Sequence, residues 1–230
     1  GKRVQALGGA NNHAVVMPDG DIEFAAAQIA AGAFGSAGER CMAISVAVPV
    51  GEGTAEKLVE KLLPKVKALK VGHSHDPESD YGPLVTPESK ARVLDYIDQG
   101  EKAGAELLVD GRGVGAYTDT FNGEDISGGY FVGPTLMDNV TTDMSVYTDE
   151  IFGPVLTIVH AEDFEEALAL PNDHEYGNGV AIFTRDGDAA REFVSRVEVG
   201  MVGVNVPIPV PIAYHTFGGW KRSGFGDLNQ

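Results

Sequence analysis

Short β-branched runs alternate with amphipathic helical stretches through most of the 230 residues, and that alternation leaves few folds open. Residues 13–17 are apolar without a break, as in a strand buried on both faces, until Pro18-Asp19-Gly20 stops them. Asp21 stands where a helix N-cap belongs, ahead of Ile22, Ala25, Ala26, Ile29 and Ala33 at helical spacing. Residues 44–50 read as a second strand, up to the turn Gly51-Glu52-Gly53. Thr54 is expected to open a helix reaching about Lys67, with Leu58, Leu62 and Val66 four apart. Thr86-Pro87-Glu88 opens the next, with proline at the first helical position and Ala91, Leu94, Tyr96 and Ile97 as the buried side. Further strands are expected at 106–109, 130–132, 155–160, 179–183 and 200–204, with helices at 163–170 and 186–197. The class is therefore α/β, a largely parallel sheet flanked by helices. No repeat, low-complexity tract or linker-like shift divides the chain, so residues 1–230 are expected to form a single domain.

Charge narrows the partners. Lysine and arginine number 17 against 34 aspartates and glutamates, a net charge of −17. Such a surface repels phosphate backbones and anionic membranes, so neither a nucleic acid nor a membrane is expected as a partner. No apolar run approaches the ~20 residues of a membrane span. The six histidines form no metal-site pattern, and His73 and His75 flank Ser74 in a polar stretch, so no metal is expected. The single cysteine excludes an internal disulfide and suits a reducing compartment, the cytoplasm or a mitochondrial matrix. Gly1-Lys2-Arg3-Val4-Gln5 has neither an initiating methionine nor an apolar signal core, and the expectation is a chain that begins and ends inside something longer.

That cysteine, Cys41, follows Gly35-Ser36-Ala37-Gly38-Glu39-Arg40. A lone thiol can be a small buried hydrophobe or a nucleophile. A turn of small residues leaves room for a substrate, and its free backbone N–H groups can stabilise an oxyanion. A second glycine-rich stretch, Gly111-Arg112-Gly113-Val114-Gly115-Ala116, has the spacing of a dinucleotide fingerprint. The loop-like Tyr117-Thr118-Asp119 that follows gives it no helix to open, so a surface turn is expected. No other phosphate cradle is visible, and most of a dinucleotide's binding surface would have to come from elsewhere. No Gly-x-Ser-x-Gly elbow is present either.

The run from Phe34 to Cys41 resembles the nucleophile segment of the aldehyde dehydrogenase superfamily, and its continuation through Met42-Ala43 resembles the coenzyme A-acylating, methylmalonate-semialdehyde branch. Three more segments agree in order: Ala6-Leu7-Gly8-Gly9 with Asn12-His13, Glu150-Ile151-Phe152-Gly153-Pro154-Val155, and Phe217-Gly218-Gly219-Trp220-Lys221-Arg222-Ser223-Gly224. The resemblance implies a catalytic domain with Cys41 as nucleophile and Arg40 clamping the substrate carboxylate. It implies that Glu150 holds the nicotinamide ribose of NAD, that Phe152 lies near the nicotinamide, that Gly8 allows close backbone approach to it, and that Phe217 lines the aldehyde tunnel. Hydrolytic members carry a glutamate directly before Leu-Gly-Gly. Ala6 stands there and cannot act as a base, so the acyl group is expected to pass to coenzyme A. The implied reaction converts malonate or methylmalonate semialdehyde to acetyl- or propionyl-CoA, as in valine or inositol breakdown, in a homo-oligomer when full length. Two rivals are a hydrolytic semialdehyde dehydrogenase whose base lies elsewhere, and an inactive fragment serving assembly.

Overall fold

The computed structural model describes residues 1–113 and 115–226, with Glu52 described only in its backbone. Strand β1 (Asn12–Val16) is buried at all five positions. Helix α1 (Ile22–Phe34) follows, and the Asp21 carboxylate accepts the Phe24 N–H at 3.1 Å, as an N-cap does. Its face of Ala25, Ala26, Ile29 and Ala33 is buried. After β2 (Ile44–Pro49), Gly51 turns the chain at φ 79° and caps α2 (Glu52–Ala68). This helix therefore starts two residues ahead of the expected Thr54, since a left-handed glycine can serve as its cap.

Helix α3 (Pro87–Ala103) begins as expected, with Thr86 Oγ1 accepting the Ser89 N–H at 3.1 Å, and Gly104 at φ 108° ends it. Of its expected buried side, Ile97 is buried and Leu94 and Tyr96 pack half-buried against the core, but Ala91 is exposed, and Val93 and Gly100 face inward as well. Gly100 fits this side closely to its neighbours. A Cβ there would come within 2.9 Å of Val146 and 3.0 Å of the Met137 sulfur, so this bare face is the one that can approach the sheet.

Next come β3 (Glu106–Val109) and β4 (Thr135–Asp138). The strand expected at 130–132 is not formed. Phe131 and Val132 are buried but lie in loop, and sheet pairing begins only past Pro134, which has no N–H to give a ladder. Helix α4 (Ser145–Thr148), β5 (Val155–Ile158), α5 (Phe164–Asp173), β6 (Gly179–Phe183), α6 (Gly187–Arg196) and β7 (Met201–Val204) complete the series. Gly111 packs against the Gly133 carbonyl, where a Cβ would overlap it, and opens no helix; Val114 of that motif lies outside the described residues.

The seven strands form one sheet in the order β7-β6-β1-β2-β5-β4-β3, parallel except for the β3–β4 pair at one edge. Phe34, Ile29, Leu58 and Leu62 from the helices are almost wholly buried, as are Phe183 and Leu156 from the strands. Among the described residues no helix is long and apolar enough to cross a membrane. Parallel strands start at one edge of their sheet. Here that edge gathers the residues just before 12, 44, 155 and 179, which are far apart in the chain.

Candidate active site

The segment entering β2 is bent sharply. Beyond Phe34, Ser36 (φ 53°), Ala37 (φ 56°) and Gly38 (φ 70°) are all left-handed. Left-handed backbone costs an ordinary L-residue roughly 1–2 kcal/mol, so two of the three positions carry strain. Gly38 could be nothing else, because a Cβ would overlap the Gly153 carbonyl. The reversal leaves Cys41 exposed at the amino edge of the sheet.

Two asparagines hold the peptide of that cysteine. Asn12 Nδ2 donates to the Cys41 carbonyl at 2.9 Å and Asn178 Nδ2 does so at 2.8 Å. Asn12 also donates to the Ala43 carbonyl at 2.7 Å and accepts the Gly179 N–H at 2.9 Å, tying the starts of β1, β2 and β6 together. With its carbonyl fixed inward, the Cys41 peptide leaves its own N–H without an acceptor among the described residues. A donor beside an exposed thiol can meet the oxygen of a carbonyl under attack. Asn178 has no signal in the sequence beyond standing just before a strand; Asn12 belongs to a recognised motif, but nothing local foretells its bonds.

Arg40 is exposed, donates from Nε to Ser36 Oγ at 3.0 Å, and forms no salt bridge among the described residues. Its charge is free for a ligand's carboxylate. Glu150 follows α4 and is half-buried, with Oε1 accepting the Ala10 N–H at 3.1 Å. Burial raises its carboxyl above the ordinary glutamate value, against the opposing pulls of that N–H and of Arg92. Phe152, 36% exposed, sits at φ 54°, a conformation uncommon for a bulky residue.

Arg40, Cys41, Glu150 and Phe152 line one small cleft with Ala10 and Asn12. The other two expected residues are not on it. Phe217, 6% exposed, packs with Met42 and Met201 in a separate cluster behind the cysteine turn. Gly8 donates its N–H to the Ser223 carbonyl at 2.8 Å and lies against the Arg222 carbonyl, where a Cβ would overlap. Ser223 Oγ in turn donates to the Gly9 carbonyl at 2.7 Å and accepts the Gly177 N–H at 2.9 Å. Ala6 pairs with Phe225 in a two-residue antiparallel ladder. The glycine loop near the N-terminus and the loop of residues 217–225 thus form one unit beside the cleft. No cluster of three or more histidine, cysteine or acidic residues among the described ones is arranged to hold a metal ion.

The aldehyde dehydrogenase family profile matches residues 1–230, and the chain belongs to that family. It is 58% identical over 229 residues to the malonate-semialdehyde dehydrogenase of Pseudomonas aeruginosa, covering 100% of this chain and 45% of that protein. It is 48% identical to malonate-semialdehyde dehydrogenase 2 of Geobacillus kaustophilus, covering 100% of this chain and 46% of the relative. Among solved structures, one described as a methylmalonate-semialdehyde dehydrogenase from Sinorhizobium meliloti 1021, complexed with NAD, superposes with a TM-score of 0.94 at 58% identity, covering 100% of this chain and 45% of the other. The methylmalonate-semialdehyde dehydrogenase of Oceanimonas doudoroffii gives 0.92 at 52% identity, over 100% and 46%. The chain spans about half the length of these relatives.

Proposed function

We propose that residues 1–230 are the thiol-bearing catalytic unit of a longer, NAD-dependent malonate- or methylmalonate-semialdehyde dehydrogenase that transfers its acyl group to coenzyme A. The observation that carries this reading is the single cleft shared by an exposed thiol, an arginine outside any salt bridge among the described residues and a half-buried carboxylate. The names of the relatives at 58% and 48% identity support the substrate class.

The described residues fit one end of NAD. Glu150 gives one carboxylate oxygen to Ala10 and keeps the other for a ribose hydroxyl, and Phe152 offers an exposed ring on the same cleft. Among the described residues Gly111 gives the pyrophosphate end no cradle, since it is packed against Gly133 and starts no helix. On this reading the remaining half of the protein supplies that surface.

Cys41 as thiolate adds to the aldehyde carbon, and the carbonyl oxygen, now negative, lies beside the Cys41 N–H. Arg40 holds the substrate's carboxylate in a charge-assisted pair. NAD, when bound, accepts the hydride that leaves the tetrahedral carbon. Cys41 then carries an acyl thioester. Ala6, in the ladder with Phe225, offers no base to activate water. The substrate's carboxylate leaves as carbon dioxide, its bonding electrons passing into the thioester enolate, which takes a proton from water at the α-carbon. The thiol of coenzyme A, giving its proton to solvent, attacks the acyl carbon, and Cys41 leaves as thiolate, which yields acetyl- or propionyl-CoA. Gly8, in the loop unit beside the cleft, and Phe217, packed on Met42 next to the nucleophile, act from off the cleft. A cytoplasmic homo-oligomer, or a matrix one in a eukaryote, completes the proposal.

Rapid-mixing kinetics test it. Full-length enzyme given semialdehyde and NAD alone is expected to show a burst of NADH equal to the active sites and then stall, with coenzyme A restoring turnover and appearing as the thioester. Cys41→Ala is expected to lose the burst entirely; activity within about tenfold of the parent, a barrier change near 1.4 kcal/mol, removes Cys41 as nucleophile. Steady release of free acid without coenzyme A favours the hydrolytic alternative, for which Glu150 is the only carboxylate among the residues lining the cleft.

A further inference from the structure

Beneath the Glu150 loop lies a buried group of aromatic and histidine side chains that the proposed chemistry does not use. His13, 1% exposed and the second residue of β1, places Nε2 3.0 Å from the Tyr147 hydroxyl and Nδ1 3.0 Å from the Asn11 carbonyl. His174, just past α5, places Nε2 3.0 Å from the Tyr147 carbonyl and Nδ1 3.1 Å from the Tyr176 N–H. The three rings meet edge to face, with centroids 5.2–5.6 Å apart.

The proton positions follow from the partners. A backbone N–H can only donate, so His174 Nδ1 is bare and Nε2 carries the hydrogen that goes to the Tyr147 carbonyl. A backbone carbonyl can only accept, so His13 Nδ1 is protonated. Burial pushes His13 down to about 3 and lowers His174 as well, so both rings are neutral and His13 Nε2 is an acceptor. The single Tyr147 hydroxyl proton then belongs to His13, although the Leu170 carbonyl lies 3.2 Å from the same oxygen. The Asn11 side-chain amide adds a second donor to the Tyr147 carbonyl.

Tyr147 is thus held at both ends, and it sits in α4, three residues before Glu150. The strand opening that holds it also contributes the Ala10 N–H to Glu150. From α3 come the Tyr96 hydroxyl to Asp149 (2.9 Å), Arg92 Nε to the Ile151 carbonyl (3.4 Å) and the Gln99 side-chain oxygen, which accepts the Ser145 hydroxyl at the start of α4 (2.8 Å). The loop ends in the left-handed Phe152, a strained conformation that persists only where its surroundings fix it. We infer that His13, Tyr147 and His174 are positioning residues that hold the Glu150–Phe152 loop against β1 and so set cofactor affinity. The inference rests on Glu150 and Phe152 facing NAD as proposed above.

Steady-state kinetics of the full-length enzyme, with Glu150→Gln beside each variant, tests it. Tyr147→Phe keeps the ring and deletes the hydroxyl. The expected result is a KM for NAD raised about tenfold, with kcat and the semialdehyde KM within about twofold. His13→Leu is expected to do the same, and His13→Gln, whose Oε1 stands in for Nε2 as acceptor, to recover most of the loss. Simple destabilisation would lower active-enzyme content and kcat without this split, and would not distinguish glutamine from leucine. If Tyr147→Phe does not fold, the His13 pair carries the comparison. NAD KM values within twofold of the parent in these variants, beside a raised one in Glu150→Gln, overturn the inference. An unchanged NAD KM in Glu150→Gln itself overturns the cofactor role of Glu150, and the positioning role with it.

Discussion

The two edges of the central sheet are made by the same strands, yet they tolerate opposite amounts of strain. At the carboxyl edge the left-handed residues other than glycine are Asn139 after β4 and Asn205 after β7, a residue type that adopts this backbone with little penalty. Asn205 also bonds the Thr184 carbonyl at 2.9 Å and its N–H at 3.1 Å, while Asp19 accepts from the Thr184 hydroxyl at 2.9 Å and the Arg185 N–H at 2.7 Å. That edge is tied off. At the amino edge Ser36, Ala37 and Phe152 are left-handed without being glycine or asparagine and gain nothing from the conformation, and beside them lie an exposed thiol and a half-buried carboxylate. Strain of this kind is held where the surroundings over-determine it, which points to the amino edge as the working side.

The largest expected effect comes from the place where that edge is tightest. Gly38→Ala puts a Cβ into the Gly153 carbonyl at φ 70° and must part the cysteine turn from the Phe152 loop. A loss of about 2–4 kcal/mol is expected, an apparent Tm lower by roughly 5–12 °C. At the opposite edge, Gly187 opens α6 with nothing within 4 Å of an added Cβ and no positive φ. Gly187→Ala is expected to be neutral or to stabilise by up to about 1 kcal/mol. Thermal unfolding of both variants decides the matter, and equal losses would erase the distinction between the edges.

A smaller effect of opposite sign tests whether the strain is real. Ser36→Gly removes the Cβ penalty at φ 53° and is expected to stabilise by about 1 kcal/mol. It also removes the acceptor that holds Arg40 Nε at 3.0 Å, so the semialdehyde KM is expected to rise several-fold while Tm rises by roughly 2–4 °C. Asn205→Gly at the other edge forfeits two side-chain bonds and is expected to lose about 1 kcal/mol. A Ser36→Gly protein less stable than its parent would show that the turn is not strained.

What could be read in the chain divides along the same line. β1, α1 and β6 were legible because their signals are local: an unbroken apolar run, an aspartate cap, a helical period. The strand expected at 130–132 was not, because Tyr130, Phe131 and Val132 look like a strand and only pairing past Pro134 reveals the register. Arg40, Cys41, Glu150 and Phe152 stand in recognisable motifs, and the fold brings them onto one cleft. Asn178, Tyr147 and His174 carry no local mark. Their partners lie 137, 134 and 27 residues away, and they meet only because parallel strands start together.

The smallest expected effect isolates the electrostatic side of the comparison. Burial raises the Glu150 carboxyl above its ordinary value of 4.5, with the Ala10 N–H and Arg92 only partly opposing. Between 4.5 and that raised value the folded chain binds more protons than the unfolded one, so stability falls as pH rises through the window and the penalty persists above it. Glu150→Gln keeps an oxygen for Ala10 and carries no charge. It is therefore expected to match its parent below pH 4.5 and to exceed it at pH 7, by less than about 1 kcal/mol because a half-exposed charge is screened. The same variant is expected to raise the NAD KM, since an amide accepts a ribose hydroxyl more weakly than a carboxylate. Thermal unfolding from pH 4 to 8 reads the first effect, and a parent that gains on Glu150→Gln as pH rises would reverse the assigned sign. Taken with Ser36→Gly, a variant that stabilises while weakening cofactor binding makes the amino edge a place where charge, like backbone, is held in a form the fold alone would not choose.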